Sequence, residues 1–197
     1  MPGHVIAFEG LDQSGKQTQA ERLAAALRAR HHTVHLLSFP DYQTAIGQEI
    51  GAALRGGREY APDALQLLYI ANRYEFRPKM EAWLKAGAVI LCDRYTASSV
   101  AYGEAQGVDP TWLVDVQRRL PHASLTLLLD IAPEDSLERK QADRDRFERD
   151  LPLLARVRAS YRRQAAEDDW VVLQGHRDKN DVTDDVIEAV RARLGLL

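Results

Sequence analysis

The chain has 197 residues, 26 Lys and Arg against 29 Asp and Glu, a formal net charge of −3 and 45% hydrophobic residues. That length fits one domain, 1–197, with a full core, and the slightly acidic balance argues against nucleic acid as a partner, since such binders are normally basic. Nothing in it is apolar enough to span a membrane, the N-terminal MPGHVIAFEG lacks the basic-then-apolar order of a secretory signal, and the lone Cys92 within VILC reads as a small buried residue in a reducing cytoplasm.

Residues 4–19, HVIAFEGLDQSGKQTQ, run from an apolar strand (Val5 to Phe8) through a glycine loop into a helix rich in Ala, Leu, Arg and Glu. Gly10, Gly15 and Lys16 stand at phosphate-loop spacing. An ordinary glycine turn would also join a strand to a helix. Here the apolar strand before and the helix after supply the context that a phosphate loop requires. Bare glycines let backbone N–H groups cradle phosphate oxygens, and the helix N-terminus adds partial positive charge. Gly10, Leu11, Asp12, Gln13, Ser14, Gly15, Lys16, Gln17 and Thr18 are thus candidates to hold a nucleotide's phosphates, with Lys16 as the point charge. Gln17 stands where the strict motif has Ser or Thr.

A second strand spans Thr33 to Phe39, closed by Pro40, and Ala45 to Leu54 reads as a helix stopped by Gly56 and Gly57. Pro62 opens the next helix, which is expected to end or kink at Pro78 and to resume as far as Gly87. Ala88 to Asp93 is a third strand, Tyr95 to Ala105 a helix, and Asp109 caps another opened by Pro110. Leu125 to Ile131 is a fourth strand. Residues 134–167 read as helical and highly charged, with a break near 142–146. Trp170 to Gln174 is a fifth strand and Val182 to Leu194 a last helix. Strands alternating with helices imply an α/β fold, a doubly wound five-stranded parallel sheet flanked by helices.

In such sheets ligands sit beyond the carboxyl ends of the strands, which selects the loop, Phe39-Pro40-Asp41, Asp93-Arg94 and Asp130. A triphosphate at Lys16 would lie near Asp93, whose carboxylate suits Mg²⁺ directly or through water, while Arg94 is placed to bridge phosphates. Tyr69, Asn72, Arg73 and Phe76 share one helical face. From spacing alone, that face is better read as an aromatic core stripe with Arg73 reaching out to solvent. Ser98, Ser99 and Tyr102 share another side, which alone would read as a packing face of small residues. His31, His32 and His35 span a turn and a strand start without a carboxylate or cysteine cluster to make a metal site.

FEGLDQSGKQTQ, FPDYQTAIG, LLYIANRYE and DRYTASSVAYG occur in that order at compatible intervals. Together they resemble the thymidylate kinase family of P-loop nucleoside-monophosphate kinases, over essentially the whole chain. The resemblance implies transfer of the γ-phosphate of ATP to dTMP with Mg²⁺, in a cytoplasmic homodimer. It implies that Asp12 contacts the acceptor's sugar and that Phe39 and Pro40 line its site. Tyr69 would stack on thymine and Arg73 would hydrogen-bond it. Asp93 and Arg94 would organise metal and phosphates, Ser98 and Ser99 would read the thymine edge, and Tyr102 would pack on the deoxyribose.

The departures from the family pattern are local. Gln13 replaces an arginine that some members carry in the loop; members without it supply arginines from a short helical lid. The segment ERKQADRDRFERD is the expected lid, about residues 139–149, with Arg146 the best match, Arg144 second, and Arg139 and Lys140 further candidates. Tyr42 replaces another arginine of some members, two residues beyond the Phe-Pro pair. With Gln17 in the loop, Mg²⁺ is expected to be held by phosphates and waters, with Gln17 or Asp93 reaching it through water. Two rivals remain: a deoxynucleoside kinase or other monophosphate kinase, the former needing Glu9 as base, and a nucleotide-binding module that has lost catalysis.

Overall fold

The computed structural model describes residues 3–139, 147 and 150–197. Parallel strands are covered on both faces, so they read as continuous apolar runs. That is why the inner strands β1 (His4–Glu9), β3 (Val89–Asp93) and β4 (Leu125–Asp130) are legible as apolar runs, whereas the edge strands β2 (Val34–Ser38) and β5 (Val171–Gln174) are only partly buried; the five pair in parallel in the order β2-β3-β1-β4-β5. The helices are α1 (Lys16–Ala29), α2 (Ala45–Leu54), α3 (Pro62–Lys85), α4 (Thr96–Ala105), α5 (Pro110–Asp115), α6 (Pro133–Arg139), α7 (Leu151–Glu167) and α8 (Lys179–Leu194).

Alternate residues of β1 serve two cores. Ile6 and Phe8 pack with Leu23 and Leu27 of α1 and Val186 and Val190 of α8. Val5 and Ala7 face the other side, with Met80 of α3, Ile90 and Cys92 of β3, and Tyr95. On that side α4 and α7 also cover β4, through Ala101, Leu154, Val157 and Tyr161 around Leu128. Burial pushes the Cys92 thiol far up, so its thiolate is suppressed.

At Pro78 the sequence leaves an end or a kink open, with helix resuming toward Gly87; α3 does not end there but runs through it as one helix of 24 residues. Proline removes one N–H and crowds the preceding turn. Pro78 itself is exposed, whereas Met80 beyond it is fully buried and Trp83 and Leu84 pack on the same core, so burial of the later turns holds the helix together. Of the expected lid, Arg139 ends α6; Lys140, Arg144, Arg146 and the break near 142–146 lie outside the described residues. The histidines have separate partners: His35 stacks on Trp83 with ring centroids 3.9 Å apart, and a ring nitrogen of His32 lies 2.9 Å from the Leu196 carbonyl.

Candidate active site

The glycine loop closes tightly on β4. Gly10 has φ 139°, and a Cβ there would sit 2.5 Å from the Leu129 carbonyl oxygen, so both the conformation and the space call for glycine. Gly15, at φ 97°, begins α1 with no side-chain cap, and the first bond up the helix runs from the Gln19 N–H to the Gly15 carbonyl. The N–H groups of Lys16, Gln17 and Thr18 therefore precede the first helical rung and face the end where an anion binds. Lys16 is buried and donates from Nζ to the Leu11 carbonyl at 2.7 Å. Burial draws its ammonium down to about 8, helped by Arg94, while Asp93, Asp12 and Glu9 oppose the shift.

Arg94, at φ 65° directly after β3, is the centre of the site. Its Nη2 donates to Asp12 Oδ1 at 2.7 Å and to the Tyr102 hydroxyl at 3.2 Å; its Nη1 donates to Ser98 Oγ and the Tyr161 hydroxyl. Burial acts to raise the Asp12 carboxyl, but Arg94, with Lys16 and Tyr102, holds it far below the ordinary range. Behind Arg94 lies Glu9, fully buried at the end of β1. Its Oε1 accepts from the Tyr95 N–H at 2.8 Å, and its Oε2 accepts from Ser98 Oγ at 2.6 Å and Tyr161 at 3.1 Å.

Two adjoining cavities flank Arg94. One is lined by Tyr69 and Arg73 of α3, Ser98, Ser99 and Tyr102 of α4, and Phe39, Pro40, Asp12 and Arg94. The other opens over the loop, between Lys16, Gln17 and Thr18 on one side and Asp93 on the other. Asp12, Phe39, Pro40, Tyr42 and Arg94 line both, so they form a common wall.

The α3 face divides by role. Arg73 does not reach solvent as spacing alone suggested: it is 2% exposed, donates from Nη1 to Ser99 Oγ at 2.7 Å, lies over the Phe39 ring at 5.9 Å, and keeps Nε without a described partner. Phe76 packs edge-on against Phe39. Asn72 turns to the loop after β2, accepting from the Asp41 N–H at 2.8 Å and donating to Thr44 Oγ1 at 2.8 Å. It thereby fixes the chain that carries Phe39 and Pro40, which are joined by a cis peptide bond.

Sequence reasoning overlooked several contributors. Gln66 of α3 lines the first cavity, is 1% exposed, and has neither amide atom partnered among the described residues. An unpaired buried polar group costs about 1–3 kcal/mol. The signal was available, since Gln66 precedes Tyr69 by three residues and Arg73 by seven, on the same helical face. Tyr161 was hidden within a charged helix. Ser136 of α6, likewise unread, donates to the Asp12 carbonyl at 2.8 Å; Arg139 beside it, one of the lid candidates, braces the same loop by donating to the Gln13 carbonyl at 3.0 Å and the Gly175 carbonyl at 3.1 Å. Asp130, expected near the ligand, is instead held by Arg158 and Arg162 of α7.

The residues present fit a divalent cation held largely by a ligand. Asp93 Oδ1 is buried at the cleft without a described partner, a hard oxygen donor. Gln17 is exposed on the facing wall, its Nε2 donating to Glu21 at 2.9 Å. No group of three or more His, Cys, Asp or Glu able to hold a metal occurs among the described residues.

The thymidylate kinase family model matches residues 8–186. Thymidylate kinase of Arabidopsis thaliana is 40% identical over 147 residues, which make up 75% of this chain and 56% of that longer protein. Thymidylate kinase of Dictyostelium discoideum is 31% identical over 185 residues, 93% of this chain and 83% of that one. The solved structure of thymidylate kinase from Candida albicans shares the fold with a TM-score of 0.84 at 28% identity, covering 100% of this chain and 94% of that chain.

Proposed function

The chain belongs to the thymidylate kinase family and is a dTMP kinase with ATP as donor, and we propose that its transfer is organised by the wall shared between the two cavities. The observation that carries this is the position of Arg94 and Asp12, which border both cavities at once. dTMP in the first cavity would set its base against Tyr69, with Arg73 and Ser99 at the base edge and Asp12 and Tyr102 at the sugar. Its phosphate would then meet Arg94, facing a triphosphate cradled by residues 10–18.

The acceptor phosphate is already an anion, so no strong general base is needed. Lys16 and Arg94 stabilise the oxygens of the moving group, and a lid arginine, Arg146 or Arg144, completes the charge. Lid closure excludes water and limits hydrolysis. Asp93, with Gln17 opposite, would hold Mg²⁺ through water, the ion neutralising charge on the β- and γ-phosphates. The working form is a cytoplasmic homodimer with no membrane or nucleic-acid partner. Among the described residues no helix is long and apolar enough to cross a membrane.

A nucleoside kinase would need Glu9 free to take a hydroxyl proton. Glu9 is instead enclosed by Tyr95, Ser98 and Tyr161 and borders neither cavity. The test is ADP release with dTMP, dUMP, thymidine, AMP and CMP as acceptors, with and without Mg²⁺. The expected result is Mg²⁺-dependent turnover with dTMP preferred. A preference for thymidine would reject the assignment, and ATP binding without dTMP-dependent ADP release would identify a module that has lost catalysis.

A further inference from the structure

Gln66 stands apart from the other polar groups around the first cavity. Ser98 is committed to Glu9, Tyr161 and Arg94, Ser99 accepts from Arg73, and Asp12 is paired with Arg94. Gln66 alone presents a complete amide, one donor group and one acceptor, with neither atom partnered among the described residues. Its stem passes between α3 and α4 at Gly103, where even a Cβ would lie 3.2 Å from Gln66 Cγ and 2.5 Å from Leu113 Cδ1. The packing thus admits the side chain while the described residues supply it with no hydrogen bond. Buried polar groups are nearly always paired, so an orphaned amide on a cavity wall points to a ligand that completes it.

We propose that Gln66 is a specificity-determining residue that reads the imide edge of the acceptor base, accepting from its N3–H and donating to a neighbouring ring carbonyl. This rests on dTMP as the acceptor. A primary amide and an imide edge are complementary, each offering a donor beside an acceptor. Arg73, which can only donate, complements the edge at a carbonyl, so the two side chains together demand a keto pyrimidine. A site built to hydrogen-bond its substrate rejects analogues that lack the group, because its own polar atoms are then left unpaired.

The near-isosteric Gln66→Met variant tests this. It removes the amide while keeping an unbranched stem of similar length. KM for dTMP should rise about tenfold or more with kcat changed less than about threefold, the signature of lost binding rather than lost chemistry. The melting temperature of the free variant should equal or exceed that of the parent, because an unpaired amide has been removed, while the upward shift on adding dTMP shrinks. As a second probe, N3-methyl-dTMP should be a poor acceptor for the parent and should lose much less further ground in the variant. An unchanged KM, independent losses from the two changes, or failure of the variant to fold would overturn the inference, the last by showing the amide to be structural. Failure of the parent to phosphorylate dTMP would instead reject the functional assignment itself.

Discussion

Lys16 shows how one residue's surroundings become a measurable property. Its ammonium is drawn down to about 8 in the free protein, from 10.5. The folded pKa lies below the unfolded one, so between about pH 8 and 10.5 the unfolded chain binds more protons, and this group's contribution makes stability rise with pH across that window. Ligand binding has the opposite sign. Phosphates favour the ammonium, so above about pH 8 binding must take up a proton, and ATP affinity should fall by up to about tenfold per pH unit. Calorimetric titrations in two buffers of different ionisation enthalpy would reveal the uptake; an affinity constant from pH 7 to 9.5 would refute it. The importance of Lys16 was legible from motif spacing, but its depressed pKa was not, since that arises first from burial and then from Arg94, 78 residues away in sequence and adjacent only in the fold.

At the level of elements, the meeting of α2 with the loop after β2 is unusually close. A Cβ on Gly47 would lie 1.8 Å from the Asp41 carbonyl oxygen, a backbone atom with no side-chain freedom to yield. Gly47→Ala should therefore push residues 40–44 away from α2, weakening the Thr44 cap on the Gly47 N–H and the Asn72 clamp. The expected loss of stability is about 1–3 kcal/mol by urea unfolding, accompanied by a raised KM for dTMP because Phe39 and Pro40 ride on that segment. Wild-type values for both would show that the loop adjusts freely. Strands and most helices were readable because buried runs and caps are local signals. Sequence alone does not decide whether α3 ends or only kinks at Pro78, because what sustains it is burial of Met80 in one core with the distant residues Tyr95 and Ile90. Nor does any periodicity encode which strands lie side by side, so the order β2-β3-β1-β4-β5 had to come from the structure.

Across the whole molecule, the Glu9–Ser98–Tyr161–Arg94 network joins β1, α4, α7 and the residue after β3 in one buried set of hydrogen bonds. α7 thereby locks directly to the arginine that borders both cavities. Tyr161→Phe would leave Glu9 Oε2 with Ser98 alone and remove one acceptor from Arg94. A loss of about 1–3 kcal/mol in stability is expected, together with a kcat decrease that the parent does not show at a temperature equally far below its own melting point. If stability falls while kcat holds, the network is purely structural. Of this network, Ser98 and Arg94 are legible from sequence as site residues, and Glu9 only as the base of a rival nucleoside kinase; Tyr161 carries no motif, and the contact between it and Glu9 exists only because the sheet brings the end of β1 beneath α7.

The common wall of the two cavities also limits how such a protein can diverge. Asp12, Phe39, Pro40, Tyr42 and Arg94 each border both chambers, so under the proposed placement of the two nucleotides a substitution at any of them would alter acceptor fit and donor alignment together. The latitude for drift toward a different base is confined to residues that border the first chamber alone, such as Leu54, Gln66, Tyr69 and Ser99. A lineage changing its preferred nucleotide would leave its record in those few positions, while the wall stayed fixed.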